Sequence, residues 1–177
     1  MTNFFDWLEN SGKVRQQLKL KRVKGFKVMN PQRLTLTVAG NHGTDGKYSD
    51  WTGTNFRLAE ILINGDGRQT PRPFMYKAKV KIETNPAAKK KCSEYLKSSI
   101  LKPSKSVAAE GGVWVDWDKY GKKVCDLIQE WLLDGSLNLE QLEPATKKKR
   151  SWAGYGTEPP LYATGELAKM ITYVVGD

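Results

Sequence analysis

The chain has 177 residues, of which 29 are Lys or Arg and 19 are Asp or Glu, so its formal net charge is +10. A chain of this length is most simply one domain, residues 1–177, which buries roughly 70% of its unfolded surface without a metal or disulfide staple. One histidine, His42, and two cysteines without CxxC spacing, Cys92 and Cys125, exclude a zinc cluster built from one chain and indicate reduced thiols. No apolar run approaches the roughly 18 residues of a membrane span and no basic leader is visible, so a soluble protein without a membrane partner is expected.

The first third of the chain predicts a helix, a strand and a second helix. The basic segment 1–24 is interpreted as an N-terminal helix, amphipathic from about Asn3 to Arg22, with inward positions at Phe4, Leu8, Val14 and Leu18. From Arg33, "RLTLTVAG" alternates polar and apolar residues, as a half-buried strand does. "TNFRLAEILING" predicts a short helix that begins at Thr54 or Asn55 and stops at Gly65.

The loop "GNHGTDGKY" invites a nucleotide or calcium interpretation, which its spacing contradicts. Gly40 and Gly46 enclose five residues where a phosphate-binding loop has four, and Tyr48 replaces the Ser or Thr that would hold magnesium. Asp45 and Asp50 lack the acidic ladder and terminal Glu of a calcium loop. The sequence therefore predicts no catalytic, cofactor-binding or metal-binding residues, and no cofactor.

The middle of the chain contains a proline elbow. Pro71 and Pro73 fix two φ angles on either side of Arg72 and present Phe74 as an anchor. Beyond the elbow two patterns conflict, because residues 76–82 alternate as in a strand while Phe74 also starts a helical stripe with Ala78 and Ile82. Asn85-Pro86 then begins a helix to about Ile100, with Cys92, Leu96 and Ile100 inward and lysines outward.

The last third predicts one long helix and a shaped C-terminus. The long helix contains Trp117, Tyr120, Val124, Leu127, Ile128 and Trp131 at spacings of three or four residues, and Gly135 ends it. A polar connector follows. In "EPPLYATGELAKMITYVV", Thr164 caps one or two helical turns in which Leu167 is inward, and Ile171 begins an extended segment. The expected class is α+β, with a small antiparallel or mixed sheet packed against two or three helices.

Basic residues form runs that admit two interpretations. They occur at 13–24, at Lys89, Lys90 and Lys91, and at Lys147, Lys148, Lys149 and Arg150. Each run is either a solvated face or a contact for phosphate groups or an acidic partner. Trp114, Trp117 and Trp131 recur at helix-like spacing and are expected in the core rather than as stacking platforms.

Three motifs in chain order resemble the tail-completion and minor tail proteins of tailed bacteriophages, also called virion morphogenesis or tail-to-head joining proteins. They are a short helix ending in a Gly turn at Ala59 to Gly65, the elbow Arg72-Pro73-Phe74, and the C-terminal run with Pro160-Leu161, Thr164-Gly165-Glu166-Leu167 and Ile171-Thr172-Tyr173. The resemblance covers roughly residues 33–175. It departs at "YKAKVKI", which looks strand-like where the family continues a helix from the elbow.

The resemblance implies a virion structural protein and no enzyme activity. Family members form a ring at the neck or the head-proximal end of the tail, so the expected partners are further copies of the chain, as a hexamer or a multiple of six, other neck and tail proteins, and genomic DNA in the bore. The residues themselves leave two alternative functions open. A sequence-tolerant nucleic-acid-binding protein accounts for the charge, and a small nuclease or deaminase has only one histidine and scattered acids to use.

Overall fold

Runs of strands are followed by runs of helices along the part of the chain that the computed structural model describes. These residues are 16–19, 22–23, 26–38, 55–65, 67, 70–101, 111–161 and 166–176. The strands are β1 (Gln16–Lys19), β2 (Arg22–Val23), β3 (Phe26–Val28), β4 (Arg33–Val38), β5 (Ile100–Leu101), β6 (Gly112–Val115) and β7 (Ile171–Gly176). The helices are α1 (Asn55–Asn64), α2 (Phe74–Thr84), α3 (Pro86–Ser98), α4 (Trp117–Leu133), α5 (Pro144–Trp152) and α6 (Glu166–Lys169). The predicted α+β class is confirmed.

One sheet has three antiparallel strands, in the order β1-β4-β7. In its register Leu34 is opposite Val175, Leu36 is opposite Tyr173, and Val38 is opposite Ile171. Because side chains alternate along a strand, these six residues share the face that packs against the helices. The strand predicted from Arg33, with Leu34, Leu36 and Val38 inward, is confirmed.

A second sheet has the order β2-β3-β6-β5 and is mixed, since β3 runs parallel to β6 while the other pairs are antiparallel. Asn30 connects β6 to the segment before β4. Its side-chain oxygen accepts from the Val115 N–H at 2.9 Å, and its amide nitrogen donates to the Val115 carbonyl at 2.8 Å. The Trp117 indole donates to the Asn30 carbonyl at 2.6 Å, which fixes the start of α4.

Helix α4 lies at the centre of the fold and contacts β7, β4, α2, α3 and α6. Asp116 caps it by accepting from the Lys119 N–H at 2.9 Å, and Gly135 follows its end with φ +76°. Its buried residues include all the inward positions predicted for the long helix: Trp117, Tyr120, Val124, Leu127, Ile128 and Trp131. That prediction is therefore confirmed.

The conflict beyond the proline elbow is resolved in favour of a helix. In α2, Phe74, Ala78 and Ile82 are buried, whereas Tyr76 is 56% exposed. A strand would instead have placed Tyr76, Ala78 and Ile82 on one face. The helical stripe meets α3 and α4, so tertiary packing decides between the two periods. The predicted helix after Asn85 is also confirmed, with the Asn85 side chain accepting from the N–H groups of Ala87 and Ala88, both at 3.0 Å. It ends at Ser98, and Ile100 is not its last inward residue but the start of β5, which pairs with β6.

Three further predictions require correction. The N-terminal helix is wrong for Gln16–Lys19 and Arg22–Val23, which are strands because β1 pairs with an edge of β4 and β2 pairs with β3. The other residues of the segment 1–24 lie outside the described part. The polar connector contains a helix, α5, begun by Pro144 in its first turn. Trp114 is 43% exposed because it lies on β6, outside the helical period that buries Trp117 and Trp131.

Candidate functional site

Arg72, in the proline elbow, is a buried connector between distant parts of the chain. Its side chain is only 3% exposed. Nε donates to the Glu140 carbonyl at 2.8 Å, Nη2 to the Gln141 carbonyl at 2.9 Å, and Nη1 to the Thr70 carbonyl at 3.0 Å. The planar guanidinium therefore satisfies carbonyls of two separate segments, which only a rigid fork of donors can do.

The elbow is held on its other side by the backbone and by Phe74. The Arg72 N–H donates to the Leu62 carbonyl near the end of α1 at 2.8 Å, and the Phe74 side chain is completely buried. Burial lowers the pKa of the Arg72 guanidinium, and the nearby carboxylates of Glu140 and Glu143 act in the opposite direction. The elbow thus joins α1, α2 and the segment that precedes α5.

The C-terminal motif closes the core in the part that the structure describes. Pro160, Leu161 and Leu167 are buried, and Ile171 begins β7 against β4. Thr164 and Gly165 lie outside the described residues, so the cap expected from Thr164 stays a prediction. The Tyr173 hydroxyl donates to the Asp118 carbonyl of α4 at 2.9 Å, which ties the last strand to the central helix.

The first lysine run lies on α3 and faces solvent. Lys89, Lys90 and Lys91 are all exposed. Lys91 Nζ is 3.6 Å from Glu130 Oε1 of α4, and both side chains are about half exposed. An exposed pair of this kind contributes little stability, about 0–1 kcal/mol. The run therefore forms a basic surface on α3, and one of its three lysines, Lys91, is paired with an acidic residue of α4.

The second run, on α5, is divided between two faces of that helix. Lys147 forms an ion pair with Glu158, and Arg150 Nη1 donates to the Pro160 carbonyl at 2.9 Å. Lys148 and Lys149 are exposed, and Lys148 Nζ lies 4.9 Å from the centroid of the Trp152 ring. The two lysine runs therefore lie on different helices, α3 and α5.

Sequence reasoning missed the roles of two lysines of α2. Lys81 Nζ donates to the Ser136 carbonyl at 2.7 Å and contacts the Ser136 Oγ at 2.9 Å, beside an open cleft of about 450 Å³. Lys77 bonds the Asn138 carbonyl one turn away. The spacing of lysines 77 and 81 predicts a shared helix face, but no local pattern predicts that this face meets the end of α4.

Lys81 functions here as a donor rather than as a base for Ser136. Burial lowers its pKa, while the carboxylates of Asp134 and Glu130 oppose that change. Its ammonium lies 4.5 Å from the centre of the Trp131 ring, a contact that favours the charged form. A nucleophilic serine needs a neutral partner that removes its proton. The geometry describes a lysine that fixes the turn after α4.

The cysteines have the properties of core residues. Both are free and buried. Burial raises the pKa of the Cys92 thiol to about 11 and, with a smaller effect from Asp126, that of Cys125 to about 12. Thiolates are therefore rare at neutral pH, and nucleophilic chemistry is disfavoured. Within the described ranges no three His, Cys, Asp or Glu side chains are grouped as metal ligands, and no described helix is both long and apolar enough to cross a bilayer.

Comparisons with known proteins give no assignment. No family model, no curated protein and no solved structure matches the chain.

Proposed function

We propose that this protein is a structural component of a tailed-bacteriophage virion, which acts in tail completion or head-to-tail joining as a subunit of a ring. The observation that carries the proposal is the Arg72 elbow. Arg72 connects α1 to residues 140–141, and this segment leads through α5 to the C-terminal motif. The motifs that carry the resemblance are thus joined in one structural unit rather than scattered over the surface.

Two further features support the proposal. Residues 74–84 form a helix that begins directly at the elbow, as the resemblance implies for the family, so the departure at "YKAKVKI" is removed. β7 is an edge strand of its sheet in the described part, and Val174 on it is 56% exposed. An exposed sheet edge is a ready surface for association with another chain. A head-to-tail contact that closes on itself produces a ring.

The test has two parts. Native mass spectrometry and negative-stain microscopy of the purified protein are expected to show a ring, with six subunits or a multiple of six as the order that the resemblance implies. In phage particles that encode a tagged copy, gold labelling is expected at the neck or the head-proximal end of the tail. A protein that is absent from purified particles, although it is expressed and folded during infection, contradicts the proposal.

A second function, sequence-tolerant nucleic-acid binding, is favoured by the net charge of +10 and the exposed lysines of α3 and α5. Duplex DNA distinguishes the two. A ring subunit acts collectively, so the isolated chain is expected to bind duplex only weakly at physiological salt. Tight, salt-steep duplex binding by a monomer that never enters particles favours the second function.

A further inference from the structure

Helix α5 is held on the surface by polar contacts rather than by a buried apolar face. None of its nine residues is buried. Two of its cations bind the chain at the start of the C-terminal motif, Lys147 at the Glu158 carboxylate and Arg150 at the Pro160 carbonyl. Most helices in globular proteins gain their stability from an apolar face against the core. α5 is therefore fixed in place while its other side remains available.

The residues on that other side form a compact group. Lys148 and Lys149 precede Trp152 by four and three positions, so the three side chains are neighbours on the helix surface. Lys147 and Arg150, also three apart, occupy the side that contacts Glu158 and Pro160. We call Lys148, Lys149 and Trp152 the outer face of α5.

Trp152 adds an exposed aromatic ring to the positive charge of this face. It is 75% exposed, the most exposed of the large hydrophobic side chains in the described residues. Lys148 Nζ lies over its ring at 4.9 Å from the centroid, so a cation and an open aromatic surface stand together. The rest of the helix consists of small or polar residues, without the further apolar side chains that surround a protein-binding hot spot.

We propose that the outer face of α5 binds single-stranded nucleic acid. A base stacks on the Trp152 indole, and the ammonium groups of Lys148 and Lys149 contact the flanking phosphates. A single strand is bound by an aromatic plane on which a base stacks and by cations that contact its phosphates, and the face supplies both. A duplex keeps its bases stacked inside, so it engages the lysines without Trp152. The proposal does not depend on a place in a virion.

The test is fluorescence anisotropy with a labelled oligothymidylate of about 20 nucleotides, longer than most single-strand sites, and a duplex of equal length. Trp152→Ala is expected to weaken oligothymidylate binding at least about 5-fold, the lower end of measured stacking contributions, and to leave duplex binding unchanged. Trp152→Phe retains a ring and is expected to restore most of the affinity. Because Trp152 is exposed, both variants are expected to fold as the parent does.

The charge is tested separately with a matched pair of variants. Lys148→Gln/Lys149→Gln is expected to weaken the binding of both ligands and to reduce the salt slope for the single strand by about 1.4, which is about 0.7 per lost phosphate contact. Lys89→Gln/Lys90→Gln removes the same charge from α3 and serves as the control. This control is expected to change the salt slope of single-strand binding less than Lys148→Gln/Lys149→Gln does.

Each contrary result overturns the proposal. It is wrong if the parent does not bind oligothymidylate at low salt, or if Trp152→Ala binds it like the parent. It is also wrong if the two double-lysine variants behave alike, since binding then follows net charge. If polyglutamate of equal charge competes as well as unlabelled oligothymidylate does, the face is instead a site for acidic proteins. Any of these results can occur whether or not the protein forms rings or enters particles.

Discussion

Gly121 of α4 lies so close to Tyr173 of β7 that a Cβ atom at position 121 would be 2.5 Å from Tyr173 Cδ2. It would also be 2.8 Å from Cδ1 of Leu34, which is fully buried. The central helix can approach the sheet this closely only where it has no side chain. Tyr173 is held by its hydrogen bond to the Asp118 carbonyl, so its ring cannot move away without breaking that bond.

Gly121→Ala is therefore expected to destabilise the protein by about 1–2 kcal/mol, as overpacking does. The sign is informative, because Gly→Ala inside a helix ordinarily stabilises by about 1 kcal/mol. Urea unfolding measures the change. In a Tyr173→Ala background the penalty is expected to shrink, since the ring is gone. An unchanged penalty would place the clash elsewhere, and a gain in stability would contradict the close approach.

Phe74→Ala is expected to cost about 3–5 kcal/mol, because it removes a completely buried aromatic side chain from the elbow. Thermal melts measure the loss. Tyr76→Ala is the matched control on the same helix; its side chain is 56% exposed, and the expected change is within about 0.5 kcal/mol. Equal melting temperatures for Phe74→Ala and the parent would show that Phe74 is not a core anchor.

Arg72→Lys is expected to cost about 3 kcal/mol although it preserves the charge, because one ammonium cannot serve carbonyls of residues 70, 140 and 141 together. Arg33→Lys, at an exposed position of β4, is the control and is expected to have little effect. Chemical denaturation checks both. If Arg72→Lys is as stable as the parent, the fork geometry is not required.

Deletion of Leu161 to Asp177 is expected to give an unfolded or aggregating product. It removes β7, which pairs with β4 along six positions, and it leaves the hydrogen-bonding groups on that edge of β4 without a strand partner. Sedimentation and circular dichroism of the truncated chain test this. Val174→Lys, at an exposed position of the same strand, is expected to be tolerated. A soluble, cooperatively melting truncation would make this end an appendage.

The buried thiols predict a loss of stability at alkaline pH. Their pKa values rise from 9.0 to about 11 for Cys92 and about 12 for Cys125 on folding, so above pH 9 the unfolded chain releases protons first. The free energy of unfolding is expected to be unaffected by them below pH 9 and to fall as the pH rises towards 11 and 12. Cys92→Ala/Cys125→Ala is expected to flatten this decline. An equally steep decline in that variant would contradict the thiol contribution.

Local sequence alone determined those elements whose residue pattern is compatible with only one type of secondary structure. The alternation of Leu34, Leu36 and Val38 fits only a half-buried strand. The three-to-four spacing from Trp117 to Trp131 fits only a buried helix face, and Gly135 supplies the left-handed residue that ends it. Asn85 and Pro86 begin a helix by satisfying or removing its first N–H groups. In these places propensity, period and capping agree.

Tertiary structure decided where local patterns are ambiguous or silent. Residues 74–84 are compatible with two periods, and burial of Phe74, Ala78 and Ile82 against neighbouring helices selects the helix. β1 is a strand because β4 offers it an open edge, and strand pairing between residues far apart leaves no local trace.

The run from Lys147 to Arg150 looks like four equivalent charges in the sequence. In the structure, contacts with Glu158 and Pro160 hold two of them and leave Lys148 and Lys149 beside Trp152. Sequence fixes the charge of such a run, whereas only the packed chain determines which charges face a partner.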